Sequence, residues 1–234
     1  MINVEIKVPK LGYNSAESYK SLRANLQFCG DDKKVLAITS CTPNEGKSSV
    51  TLNLAVSLAE SGKKVLLLDA DLRKSMLLGR TKIKGSAKGM THFLSGQVEI
   101  KDVLCSTNVE NMHIAYAGPV PPNPAELLGS KRFHDLLVSL RKVYDYILID
   151  TPPLGSVIDS AIVAEECDGA ILVIEAGVIS HRFAQEVKGQ LDKTNCPVLG
   201  VVLNKVDMSR QKYYGKYYGK HYGKHYGRYY GRDD

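Results

Sequence analysis

Gly46, Lys47 and Ser48 stand together inside AITSCTPNEGKSSVT, residues 37–51. The trio suits phosphate chemistry. Backbone N–H groups and the positive end of a helix receive anionic oxygens, a lysine ammonium neutralises the β and γ phosphates, and a serine hydroxyl joins a Mg²⁺ shell. Glu45 and Ser49 flank the trio, so the expected nucleotide contacts are Glu45, Gly46, Lys47, Ser48 and Ser49. The leading glycine of the usual pattern is replaced by Cys41. Alone, such a stretch reads equally well as an ordinary strand-to-helix loop. Two further segments end in carboxylates: VLLLDADLRK supplies Asp69 and Asp71, and YILIDTPP supplies Asp150. Carboxylates just past the C-terminal ends of parallel strands face the crevice where open α/β sheets bind ligands. A hard cation bridging phosphates takes oxygen ligands and keeps several waters, which makes Ser48, Asp71 and Asp150 the candidate Mg²⁺ ligands.

Those side chains need a scaffold that brings strand ends together. Short continuous runs rich in Val, Ile and Leu occupy 34–39, 64–69, 146–150, 169–175 and 197–204, as strands covered on both faces do. Helical patterns fill 48–61, 123–142, 160–166 and 180–193 between them. This alternation predicts an α/β fold, a mostly parallel central sheet flanked by helices on both faces. Residues 14–28 also read as an amphipathic helix, with Leu22 and Leu26 on one face and Asn14 and Glu17 as its cap. Its expected job is contact rather than core.

The C-terminal stretch is of another kind. Five four-residue units run from Tyr213 to Arg232 and hold eight of the thirteen tyrosines: Tyr213, Tyr214, Tyr217, Tyr218, Tyr222, Tyr226, Tyr229 and Tyr230. A glycine and a basic residue in every unit leave no apolar face to bury, so residues 209–234 are expected to form a disordered tail. Seven Lys or Arg against two Asp give that tail +5 of the chain's net +6, so the basic character belongs to the tail and not to residues 1–208. The body is long enough for one substantial core. No run of eighteen apolar residues exists and the N-terminus MINVEIKVPK has no apolar centre, so the protein is expected in the cytoplasm. Five scattered cysteines without a CxxC pair argue against a disulfide framework and a zinc site.

Taken together, PNEGKSS, VLLLDADLRK, YILIDTPP, GPVPPNPAELLGS and the tyrosine-rich end resemble the bacterial tyrosine kinases of capsule and exopolysaccharide synthesis, over nearly the whole chain. The resemblance implies a P-loop NTPase-like kinase domain, residues 1–208, followed by an autophosphorylation tail. It casts PNEGKSS, VLLLDADLRK and YILIDTPP as Walker A, A′ and B, with ATP and Mg²⁺ as cofactors. Lys47 and Asp69 become catalytic residues, Asp69 orienting and deprotonating the incoming tyrosine. The early ESYKSLR is similar to the family's ExxRxxR oligomerisation motif and places Glu17, Lys20 and Arg23 at a homo-oligomeric, ring-type interface. Lys20 stands where the family usually has arginine; it keeps the charge and loses the bidentate fork. Read without the family, the three residues make a solvated helix face with an i,i+3 ion pair. Stand-alone members look to a transmembrane activator, a polysaccharide co-polymerase, which would recruit the chain to the inner face of the membrane. A cognate tyrosine phosphatase and other tyrosine-bearing proteins complete the implied partners.

Three other readings compete. A ParA- or MinD-like partition ATPase shares the architecture, but its signature lysine falls where this chain has Thr42. NKVD at 204–207 matches the guanine-reading NKxD pattern and suggests a GTPase. A basic tail interleaved with tyrosine could also bind RNA or an anionic membrane. Nucleic acid is not the expected partner, because the units contain no sequence-reading fold. Arg73 and Lys74 read either as contacts to phosphate or to acidic partners, or as exposed surface charge.

Overall fold

The computed structural model describes residues 2–8, 10–83 and 88–207. Among the described residues the sheet and every helix lie in the first of two units, Met1–Asn204; of the second, Lys205–Asp234, only 205–207 are described. The expected tail and its eight tyrosines therefore lie outside the described residues.

In chain order the strands are β1 (Ile2–Ile6), β2 (Val35–Ser40), β3 (Val65–Asp69), β4 (Thr81–Ile83), β5 (Cys105–Thr107), β6 (Met112–Ala115), β7 (Tyr146–Asp150), β8 (Gly169–Glu175) and β9 (Val198–Asn204). The helices are α1 (Tyr13–Phe28), α2 (Lys47–Glu60), α3 (Met90–Leu94), α4 (Pro124–Leu128), α5 (Lys131–Leu140), α6 (Asp159–Ala164) and α7 (His181–Leu191). The nine strands form one sheet in the order β4-β1-β5-β6-β3-β7-β2-β8-β9. Pairing is parallel except for β1 with β4 and β5 with β6. The α/β architecture read from the alternating runs is the one observed.

Successive residues of the central strands serve opposite layers, as the two-residue period requires. Ala37, Leu66, Leu68, Ile147 and Ile149 point to one layer, with Phe133, Leu136 and Leu137 of α5, Val163 of α6 and Val187 of α7. Leu36, Ile38, Val65, Leu67 and Leu148 point to the other, which α2 fills. All of these sheet residues are fully buried. At about 25 cal/mol per Å² of apolar area removed from water, such runs are the main force holding the site's strands in register. Among the described residues no helix is long and apolar enough to cross a membrane.

Several boundaries differ from the sequence reading, each for a physical reason. The helix expected over 123–142 is two helices, because Ser130 accepts the Phe133 N–H and starts α5 afresh after Gly129. The cap expected from Asn14 and Glu17 is not made. Gly12 is the N-cap of α1 without a side-chain bond, and the Glu17 carboxylate accepts from Lys20 instead, 2.7 Å away. Leu26 is buried against the α2 layer, so α1 does contribute to the core. Four short strands, β1, β4, β5 and β6, escaped the sequence reading. In β1 the signal was present as the alternation of Ile2, Val4 and Ile6, of which Val4 and Ile6 are buried.

Candidate phosphate and phosphoryl-transfer site

β2, β3 and β7 lie side by side at the centre of the sheet, and their C-terminal ends carry the chemistry. Between β2 and α2 the chain turns through residues 41–46. Gly46 takes φ +87°, a left-handed conformation that glycine enters without a Cβ penalty, and α2 begins at the next residue. No side chain caps α2 and its first turn carries no acidic residue. The N–H groups and positive end of that helix are therefore left to an anion. This is the observation that fits the loop to a nucleotide's phosphates.

Glu45 holds the loop in shape. Its buried carboxylate accepts from the Thr42 N–H, from Thr42 Oγ1 at 3.0 Å and from the Glu175 N–H at 2.9 Å. Its carbonyl accepts from Asn204 Nδ2 at 2.8 Å. The Glu45 side chain is thus an internal brace, and what this position offers a phosphate is backbone. Cys41, at the place of the missing glycine, is fully buried; burial, with Glu45 nearby, pushes its thiol up to about 11 and leaves it a poor nucleophile. Gly155, in the loop after β7, runs against the same turn. A Cβ there would fall inside contact distance of the Cys41 carbonyl oxygen and meet the Phe183 ring. Gly155→Ala is expected to cost about 1–3 kcal/mol by overpacking. A melting curve should drop by about 2–4 °C for each of those kcal/mol; an unaltered curve would show that the turn yields freely.

Lys47, Asp150 and Asp69 converge below the loop. Lys47 Nζ donates to Asp150 Oδ1 at 2.8 Å and lies 3.3 Å from Ser48 Oγ, while Thr51 Oγ1 stands 3.4 Å from the same Asp150 oxygen. Asp69 and Asp150 are direct register partners on the adjacent parallel strands β3 and β7. Both are buried, so two carboxylates compete for one cation. Burial first, and then the Asp150 charge, push Asp69 from 3.8 up to about 7, against the opposing hydrogen bond from Ser75 Oγ and the charge of Lys47. Asp71 lies in the loop after β3, its N–H on Asp69 Oδ1 at 3.2 Å and its own Oδ1 accepting from the Lys74 N–H at 2.9 Å. Ser49 sits in the first turn of α2, its N–H on the Gly46 carbonyl. Among the described residues no three His, Cys, Asp or Glu side chains form a preassembled metal cage. Ser48, Asp71 and Asp150 are oxygen donors of the kind Mg²⁺ takes when phosphates and water complete its shell.

The Arg73 guanidinium forks onto an acidic partner, Asp159, Nε to Oδ2 at 2.8 Å and Nη2 to Oδ1 at 2.9 Å. Of the proposed interface residues, Glu17 and Lys20 pair with each other on an exposed turn of α1. Arg23 turns inward, Nη1 donating to the Ser57 carbonyl of α2 at 2.6 Å. The first residue of NKVD is committed to Glu45. Sequence reasoning missed the parts played by Ser75, Thr51, Asp159 and Asn204. Only Asn204 carried a signal, and its motif pointed to a base.

Strand order, an uncapped glycine-initiated helix, a buried lysine and strand-end carboxylates define a P-loop nucleotide-binding protein. A family profile described as AAA domain matches residues 33–194. The chain is 46% identical over 215 residues, 91% of its length and 95% of the relative's, to the tyrosine-protein kinase CpsD of Streptococcus pneumoniae serotype 4. Its fold is similar to that of the chimerical protein CapA2B2, with a TM-score of 0.79, 30% identity and coverage of 86% of this chain and 88% of that one. MinD of Pyrococcus horikoshii, solved with Mg-ADP, is more distant, with a TM-score of 0.64, 29% identity and coverage of 76% and 72%. The chain belongs to the bacterial tyrosine-kinase family, whose members are P-loop enzymes.

Proposed function

We propose that this chain is an ATP- and Mg²⁺-dependent tyrosine kinase whose first substrate is its own C-terminal tyrosine cluster. The observation that carries the reading is the pairing of Asp69 with Asp150 at the strand ends beneath the uncapped start of α2. Phosphoryl transfer asks a protein mainly for positioning and charge stabilisation. Backbone N–H groups of Gly46 to Ser48 receive the phosphates, and Lys47 moves from Asp150 toward their charge. Asp69 accepts the phenolic proton as the tyrosine oxygen takes the γ-phosphoryl group and ADP leaves. Its pKa near 7 suits a general base, because catalytic groups work best when poised near the operating pH. Ser48, Asp71 and Asp150 would hold Mg²⁺, which would supply charge neutralisation on the phosphates. The Mg-ADP of the MinD structure supports the nucleotide and the metal.

The tail's seven basic residues draw it toward a crevice with three Asp and a triphosphate, on a neighbouring subunit of a ring. Each phosphate adds about −1.5 to −2, so modification of all eight tyrosines takes the tail from +5 to roughly −7 to −11. That reversal repels the tail from the acidic crevice and loosens the ring. A transmembrane activator holds the kinase at the cytoplasmic face of the membrane, where the cycle regulates capsular polysaccharide synthesis and a phosphatase resets it.

The test is intact-mass analysis after incubation with ATP and Mg²⁺, comparing the full chain with one ending at Met208. Up to eight phosphates are expected on the full chain and none on the truncated one. Absence of phosphotyrosine beyond Met208 would sink the proposal. Preference for GTP over ATP would remove the assumed donor.

A further inference from the structure

Arg73 ties together the two loops that carry the site's carboxylates. Its fork ends on Asp159, which is fully buried at the first position of α6, whereas the arginine side chain is 42% exposed. Beside Asp159, Ser160 Oγ donates to the Pro152 carbonyl, which also accepts from Thr39 Oγ1 at 2.9 Å. Pro152 is two residues past Asp150, so the start of α6 is fastened to the exit of β7. At the other end, the loop carrying Arg73 folds back on itself through Lys74 N–H on Asp71 and Ser75 Oγ on Asp69. The guanidinium is therefore a second tie between the Asp71 loop and the Asp150 loop, beyond the Ala70 N–H on the Asp150 carbonyl at 2.8 Å that joins the strand exits. The planar fork fixes an angle as well as a distance, which an ammonium cannot do.

We infer that Arg73 is a positioning residue for the metal shell, setting Asp71 against Asp150 through Asp159 without touching nucleotide or metal. The inference rests on the proposed Mg²⁺ ligands and deepens that reading. Outer partners of this kind typically govern metal affinity by about 10–100-fold.

Binding of a fluorescent ADP analogue, measured without metal in EDTA and across a Mg²⁺ titration, tests it. The variants are Arg73→Lys, which keeps the charge and loses the fork, and the doubly neutral Arg73→Gln/Asp159→Asn, which leaves no buried charge unpaired. Both are expected to bind nucleotide in EDTA within about twofold of the native chain. Both should need about tenfold more Mg²⁺ for half-maximal strengthening of binding. A native-like Mg²⁺ requirement in both variants would overturn the inference. So would weakened binding in EDTA, which would make Arg73 a phosphate contact. If the native chain gains nothing from Mg²⁺, the ligand assignment itself falls, and a native-like variant beside a responsive native chain refutes the role of Arg73 alone.

Discussion

Lys47→Met is expected to lower tyrosine phosphorylation by at least a hundredfold and to lower stability as well, because this lysine serves two masters. Toward the substrate, loss of a preorganised positive group at developing charge typically costs about 10²–10³ in rate. Toward the fold, Lys47 Nζ is the cation on Asp150, 2.8 Å away, and both side chains are almost completely buried. Removing one partner of a buried pair typically costs about 3–5 kcal/mol, since the remaining charge is stranded. Asp150 keeps only Thr51 Oγ1 at 3.4 Å and has Asp69 beside it on β3. The two losses can be separated. Lys47→Met/Asp150→Asn, with no stranded charge, should recover most of the melting temperature and none of the activity. Equal phosphotyrosine in native and Lys47→Met chains would remove the site assignment.

Asp69→Asn is expected to be nearly as severe, with a signature in pH. A positioned base contributes about 10²–10⁴ in rate, and an amide cannot take the phenolic proton. Burial and the Asp150 charge push Asp69 up to about 7 in the folded chain, against 3.8 for an ordinary aspartate. The folded state therefore holds a proton that the unfolded state has already released between those values. Stability from that proton is complete below the unfolded pKa and is lost as pH rises through the window, up to the folded pKa near 7. Each unit of displacement corresponds to about 1.4 kcal/mol. Melting at pH 5.0 and 7.5 should show the native chain losing more stability than Asp69→Asn over the same interval. Parallel losses would mean that burial and Asp150 do not hold the proton.

The strand-end carboxylates were legible in the sequence for the same reason as the strands that present them. Tyr146–Asp150 and Gly169–Glu175 have the bounds their continuous apolar runs predict, because both faces of each strand are covered. A run of that kind ending in Asp announces a carboxylate at the crevice. Cys105–Thr107, only three residues long, gives no such run. The braces were illegible for a different reason. Arg73 and Asp159 are 86 residues apart, and Glu45 and Asn204 are 159 apart. Neither pair has a spacing rule, since the fold alone decides that they meet. Chemistry concentrated in one loop leaves a pattern, whereas support gathered from several loops does not. The Arg23 contact was illegible in the same way, since its partner Ser57 lies 34 residues further on in α2.

Asn204 closes β9 and holds the Glu45 carbonyl, so the segment that follows is moored at the rim of the nucleotide loop. A displacement at the end of β9 would therefore be felt at once by the turn that faces the phosphates, since one hydrogen bond joins the two.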